Sequence, residues 1–532
     1  MVAEGYNAAG AAQTPTTGAN TLLALKNGYH HLVHQIEVQA GGKIVADSQP
    51  FTNVARNFKI LSQMTANELR NLAPSLGMSD VIDSSDAPAF FTAAAVSRPG
   101  VGLCNNTPYN ATGVSVGAQS LPVAVQNDGV ANGALAKRIA RVTSASATSS
   151  GVTTSKNIYG AAQTTGGNAP FIATAQTLVN EFRPYYTLSG TKMVWYDVAI
   201  LPLRYLTDVM DKLGLVRKLD LQVRMYINTG SLVVPVSITG TDSATLGLGF
   251  PTTNTFTNTC PMMINHVPGP TATPAVANLN VAMTQIACGL YLARVPTTSL
   301  AIVGGTSNLA GPASHPMPSC RAYYSQIKLE PSIAQKYITE NSAKEIVFEN
   351  FIFNQYNGIG AGTSFSQLVQ AGVKAPLGIL ICPFISSGQA RLSDNSTGPI
   401  GFSQYQSPYD TAPASNAPLS ITNLQVSLGG TSVLDSSSLY YTFENWLEQV
   451  SIAETVVPEM GLAQGILSQK DWESLYRLYY VSLARGSEAD KATMRNLSIS
   501  FTNNSAVAID ILVFTFYLNR GVVNVETGLI SM

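Results

Sequence analysis

Three histidines lie within five positions: His30, His31 and His34. Imidazoles this close are the first candidates for a metal site, and on a helix His30 and His34 would share a face. The flanking residues read differently. Leu32, His34, Ile36 and Val38 alternate with Val33, Gln35, Glu37 and Gln39, the period of a strand. His34 then sits on the apolar side, as a core or interface histidine, and no partner completes a zinc set. Gly358–Gly362 reads GIGAG but lacks the Lys-Ser/Thr end of a phosphate loop, and no dinucleotide-binding unit surrounds it. The one G-x-S-x-G match, GVSVG at Gly113–Gly117, lies inside the long Ala/Ser/Thr/Gly-rich stretch and not between a strand and a helix; no H-E-x-x-H pair occurs, and the carboxylates are scattered. Cys104, Cys260, Cys288, Cys320 and Cys382 are widely spaced and odd in number, the pattern of isolated buried thiols in a reducing compartment. We therefore assign no catalytic, cofactor-binding or metal-ligating residue and expect no enzymatic activity.

The chain has 532 residues, enough for more than one core. Charged residues make up only 11%, where about 25% is usual. A surface so poor in charge must be rich in neutral polar groups or covered by other chains. The formal net charge of −1 gives no basic excess for a dedicated nucleic-acid partner, and Lys137, Arg138 and Arg141 form only a small solvated cluster. The first residues lack the basic start and apolar core of a secretion signal, and no run of about 18 apolar residues would span a membrane as a helix. The sequons at Asn105, Asn110 and Asn395 are read as loop asparagines.

The elements that organise the chain cluster in Met193–Gly230. Val194–Leu201 is apolar and β-branched, and Pro202 ends it. Leu203, Leu206, Met210 and Leu213 form one stripe of a short helix, with Gly214 placed for a left-handed stop. Leu219, Leu221, Val223, Met225 and Ile227 then alternate with Asp220, Gln222, Arg224 and Tyr226, which predicts a half-buried strand. Thr65 and Glu68 form a capping box opening a helix with Leu69 and Leu72. Ser468–Asp471 opens another, with Trp472, Leu475 and Tyr479 on one side. Further strands are predicted at Arg321–Leu329, Lys344–Asn354, Leu377–Phe384, Leu424–Leu428, Leu497–Phe501 and Ile511–Leu518. Trp195, Leu221, Val223, Trp446 and Phe514 are expected in the core. Residues 100–180 and 388–418 are polar loops, expected at the outer end of the sandwiches or on a neighbouring subunit.

The two halves echo each other. Setting Gly41-Gly42 on Gly429-Gly430 brings Val38 onto Val426, Asp47 onto Asp435, Asn57 onto Asn445 and Phe58 onto Trp446. The order of elements that follows is also shared. The expected fold class is all-β: two tandem eight-stranded jelly-roll sandwiches with short connecting helices and long loops. The division is a flexible arm over 1–20, a first jelly roll over 21–330, a linker helix over 331–343 and a second jelly roll over 344–532.

Four passages carry a family likeness: IEVQAGGKIVADSQPFTNVARNFKILSQMTANELRNLAPSLGM, ILPLRYLTDVMDKLGLVRKLDLQVRMYINTG, CRAYYSQIKLEPSIAQKYITENSAKEIVFENF and LVFTFYLNRGVVNVETGLI. Together they resemble the double jelly-roll major capsid proteins of virophages and polinton-like viruses, which are related in architecture to those of adenoviruses and large DNA viruses. The resemblance implies a homotrimer whose six jelly rolls form a pseudo-hexagonal capsomer tiling an icosahedral shell. It also implies penton and minor capsid proteins as partners, and a place in the virion after assembly in the host cell. A β-sandwich fibre or adhesin that binds glycans is the alternative; it would need exposed aromatic platforms.

Overall fold

The structure, a computed structural model, describes residues 1–78, 185–290 and 322–531 with interruptions, and only isolated pairs of residues within 79–184, 291–321 and 391–418. The loop segments 100–180 and 388–418, the basic cluster at 137–141, and Cys104 and Cys320 therefore lie essentially outside the described residues.

The first half opens with β1 (Val2–Asn7). Then come β2 (Val33–Ala40) and β3 (Lys43–Asp47), joined by the Gly41-Gly42 turn. Helices α1 (Thr52–Gln63) and α2 (Ala66–Leu72) follow. Next are β4 (Lys192–Tyr196), a single helical turn α3 (Val209–Lys212), β5 (Leu221–Ile227), β6 (Ser231–Ile238) and β7 (Met283–Gly289). Helix α4 (Pro331–Glu340) leads into the second half.

The second half contains β8 (Lys344–Ile359), β9 (Ser364–Val373), β10 (Pro376–Ile385), β11 (Ile421–Leu428) and β12 (Ser438–Tyr440). Helices α5 (Phe443–Val456) and α6 (Gln469–Ser474) precede β13 (Tyr479–Ser482), β14 (Arg495–Asn503) and β15 (Ile509–Val523). One sheet runs β8-β15-β10-β13, and the other runs β9-β14-β11 with β12 on β11. Counting strands along the chain, the sheets are first-eighth-third-sixth and second-seventh-fourth-fifth. All these pairs are antiparallel. This interleaving is the jelly roll. The inner faces close on one core that includes Ile379, Ile381, Leu424, Val426, Ile499, Phe514 and Trp446.

The first half repeats part of this plan. The sheet β5-β2-β3 occupies the seventh, fourth and fifth places, and α1 follows it as α5 follows β12. The two Gly-Gly turns have positive φ at all four glycines, as a two-residue hairpin between twisted strands requires. Val38 and Val426 are both buried, as are Phe58 and Trp446. The fold class is all-β, with two tandem units of jelly-roll plan. Among the described residues, β5 has one paired neighbour, β2, whereas its counterpart β14 has two.

That difference reaches the core. Leu497, Ile499 and Phe501 on β14 are buried, while Leu221 and Val223 on β5 are only half-buried. The alternation is as the sequence predicts; the depth is less than expected, because among the described residues β5 is flanked on one side only. Leu497→Ala should cost about 2–5 kcal/mol through lost transfer energy and a cavity, and Leu221→Ala clearly less. Urea denaturation of the two variants checks the order. Trp446 and Phe514 are fully buried as expected, and the side chain of Trp195 is outside the described set.

Several local expectations are corrected. The arm expected over 1–20 contains β1, which is buried between β4 and β7. Its sequence, VAEGYN, hides this because Glu4 takes an interior place, accepting from the Tyr6 and Thr191 hydroxyls. The strand expected to run to Leu201 ends at Tyr196, and Ile200 is exposed. The helix expected after Pro202 is broken into a turn at Leu203–Tyr205 and α3, although Leu206 and Leu213 are buried and Gly214 is left-handed as predicted. In β2 the buried set is Val33, Ile36, Val38 and Ala40. A register irregularity between Val33 and Gln35 shifts the face by one residue, so His34 is only half-buried. The capping box of α2 forms, with Thr65 N–H donating to Glu68 and Glu68 N–H donating back to the Thr65 hydroxyl, but Leu72 is exposed. Helix α6 stops at Ser474, so Tyr479 belongs to β13, not to a helix face. Of the strand expected over Arg321–Leu329, residues 322–329 form none.

Candidate assembly surface and its support

The residues first suspected of chemistry have structural places. His30 and His31 lie in a one-turn 3-10 helix at Tyr29–Leu32, both buried, with ring centroids 3.9 Å apart. His30 Nε2 is 3.2 Å from Asn57 Oδ1 on α1. Burial pushes the His30 pKa down to about 4, only partly offset by that hydrogen bond. His34 rests edge-on against Phe51, and its pKa is also lowered by burial. GIGAG is the turn region from β8 into β9, where Gly358 N–H donates to the Asp510 carboxylate at 2.8 Å. Cys260, Cys288 and Cys382 are buried free thiols; burial raises the pKa of Cys288 and Cys382. Among the described residues no group of three or more His, Cys, Asp or Glu could hold a metal ion. No helix among them is long and apolar enough to cross a membrane.

The His30 shift carries a pH prediction. The folded state holds the ring neutral, so below pH 6.5 the unfolded chain takes up a proton that the folded chain refuses. This contribution to stability is intact above about pH 6.5 and falls as pH drops toward about 4. At 1.36 kcal/mol per unit, the full loss is of order 3 kcal/mol. His30→Gln should flatten the stability curve between these pH values relative to wild type; parallel curves from urea titrations would refute the assignment.

The two halves are joined by a buried polar seam. Helix α1 packs on the second jelly roll through Val54, Phe58 and Leu61, with the Phe58 ring stacked on Tyr480 at 5.3 Å. Arg56 and Lys59, one turn apart on α1, reach Glu349 on β8 at 3.5 and 2.6 Å, and all three are buried. Glu349 N–H in turn donates to the Asp208 carboxylate at 2.9 Å. Sequence reasoning missed α1. Its buried polar residues dilute the apolar pattern: Arg56 and Lys59 reach Glu349 across the seam, while Asn53 and Asn57 bond to Thr259 and His30 of the first half. The spacing of Val54, Phe58 and Leu61 was the signal present.

The outer surface offers one conspicuous apolar stretch. Residues 322–330 lead into α4 without helix, strand, turn or bend, with Tyr323 87% and Tyr324 85% exposed. Ile327 and, on α4, Ile333 are exposed as well. No hydrogen bond joins 322–329 to any described residue. Trp446 and Trp472, by contrast, are buried and form no aromatic platform.

No family model and no curated protein matches the sequence. In structure, the chain is similar to a chain of the Sputnik virophage, with TM-score 0.41 and 11% identity, covering 99% of this chain and 79% of that one. It is similar to PBCV-1 VP54 fitted into a Sputnik reconstruction, with TM-score 0.35 and 8% identity over 100% and 88% of the two chains. It is also similar to the Faustovirus major capsid protein, with TM-score 0.32 and 9% identity over 97% and 76%. The fold class itself rests on the strand order.

Proposed function

We propose that this chain is a structural major capsid protein without enzymatic activity. It assembles as a homotrimer whose six jelly rolls form a pseudo-hexagonal capsomer, and the capsomers tile the icosahedral shell of a virion. The reading takes 21–330 as the first jelly roll, 331–343 as the linker and 344–532 as the second. Penton and minor capsid proteins complete the partners. The observation that carries it is the paired plan: a complete interleaved jelly roll preceded by a sheet, turn and helix that repeat its fourth, fifth and seventh strands. Two similar units fused through one seam give a trimer six similar faces, which suits a hexagonal lattice. A chain with only 11% charged residues and an exposed apolar segment favours burial by neighbouring copies.

Light scattering after size exclusion should give the mass of a trimer or a larger assembly. Negative-stain images should show particles of pseudo-hexagonal outline. A folded monomer at micromolar concentration would count against the reading.

A further inference from the structure

The unpaired segment 322–330 and the open edge of β5 have matching chemistry. Strand β14 is flanked on both sides, by β11 and β9, and its inward residues are buried. Strand β5 is flanked by β2 alone, and its inward residues Leu221, Val223, Met225 and Ile227 remain half-buried. The place beside β5 that β9 fills beside β14 is vacant among the described residues. An antiparallel strand belongs there, because β9 is antiparallel to β14.

Segment 322–330 has the required form. It carries no helix, turn or bend, spans nine residues against seven in β5, and has no main-chain partner between 322 and 329. Its alternation also fits. Setting Ile327 antiparallel to Val223 brings Leu329 opposite Leu221 and Tyr323 opposite Ile227 on the inward face. The outward face then pairs Tyr324 with the exposed Tyr226, an aromatic cross-strand contact, and Lys328 with Gln222. A seven-residue ladder spans about 23 Å at strand rise.

We propose that segment 322–330 of one copy adds to the β5 edge of a second copy as an antiparallel strand. Donor and acceptor are different surfaces of the same chain, and the described residues of a single chain leave both open. Head-to-tail exchange satisfies every donor and every edge when the ring closes. This deepens the assembly reading and rests on it for the number of copies in the ring.

The test uses the full chain with Cys104 and Cys320 changed to Ser, leaving the three buried thiols. Two forms with different tags, one carrying Gln326→Cys and the other Arg224→Cys, are co-expressed and treated with a short bis-maleimide. A covalent dimer holding both tags is expected, and none when Lys336→Cys on α4 replaces the donor cysteine. Cross-linking confined within single chains, in a form carrying both cysteines, would overturn the proposal. Separately, Tyr323→Ser/Tyr324→Ser/Ile327→Ser should keep the circular dichroism of the parent, since all three side chains are exposed, and lose the assembled species. An unchanged assembly would also overturn it. A trimer without the inter-chain cross-link refutes strand exchange and leaves the capsomer reading standing; cross-linked species that are not trimers do the reverse.

Discussion

Glu349→Leu should destabilise the folded chain by about 3–5 kcal/mol, the range for breaking a buried ion pair by removing one partner. Glu349 is buried at the seam, with Lys59 at 2.6 Å and Arg56 at 3.5 Å. Both cations are themselves buried, so removing the carboxylate leaves two positive charges without compensation in a site that water does not reach. The cost is that of stranded charge, not the net worth of the pair. Arg56→Met/Lys59→Met/Glu349→Leu should therefore recover most of the loss, because it removes the charges together and keeps their volume. Urea unfolding of the single and triple variants measures this. A single variant within about 1 kcal/mol of wild type would mean that the pair is solvated like a surface salt bridge.

Phe58→Ala should cost about 3–5 kcal/mol, the range for a fully buried aromatic reduced to a methyl group. The informative feature is where the loss is felt. Phe58 belongs to the first half, yet its ring stacks on Tyr480 and lies 6.2 Å from Phe516, both in the second jelly roll. Two of the three tryptophans, Trp446 and Trp472, are buried in that second core, so indole emission reports chiefly on it. Emission and far-ultraviolet circular dichroism should shift to lower denaturant together. Emission unchanged from wild type would show two independent cores and contradict the shared one.

The parts legible in the sequence were those that depend on neighbours along the chain. Strict alternation marked β5, β11 and β14, because side chains of a strand face opposite sides whatever lies beyond them. The two Gly-Gly turns were legible because only glycine takes positive φ without strain at successive positions. The Thr65–Glu68 cap was legible because both partners lie within one helical turn. The internal echo of the halves pointed to Phe58 and Trp446 before either was seen to be buried. At the candidate surface the strand predicted over Arg321–Leu329 does not form over 322–329, because local alternation cannot supply the partner strand that this stretch lacks among the described residues.

What only the tertiary structure decided is which of these elements meet. The interior role of Glu4 in β1 depends on hydroxyls from Tyr6 and distant Thr191. The seam depends on bringing Arg56 and Lys59 to Glu349 across nearly three hundred positions of chain. Burial of a polar helix face is invisible to a periodicity argument when its partners arrive from another strand. The depth of Leu221 and the exposure of Tyr323 were likewise open, because a strand's burial is set by the strands beside it. Local sequence thus determined the alternating strands, the glycine turns and the fold class. Contacts between distant segments determined that α1 ties two units into one core, and that among the described residues the β5 edge and the segment 322–330 stand unpaired.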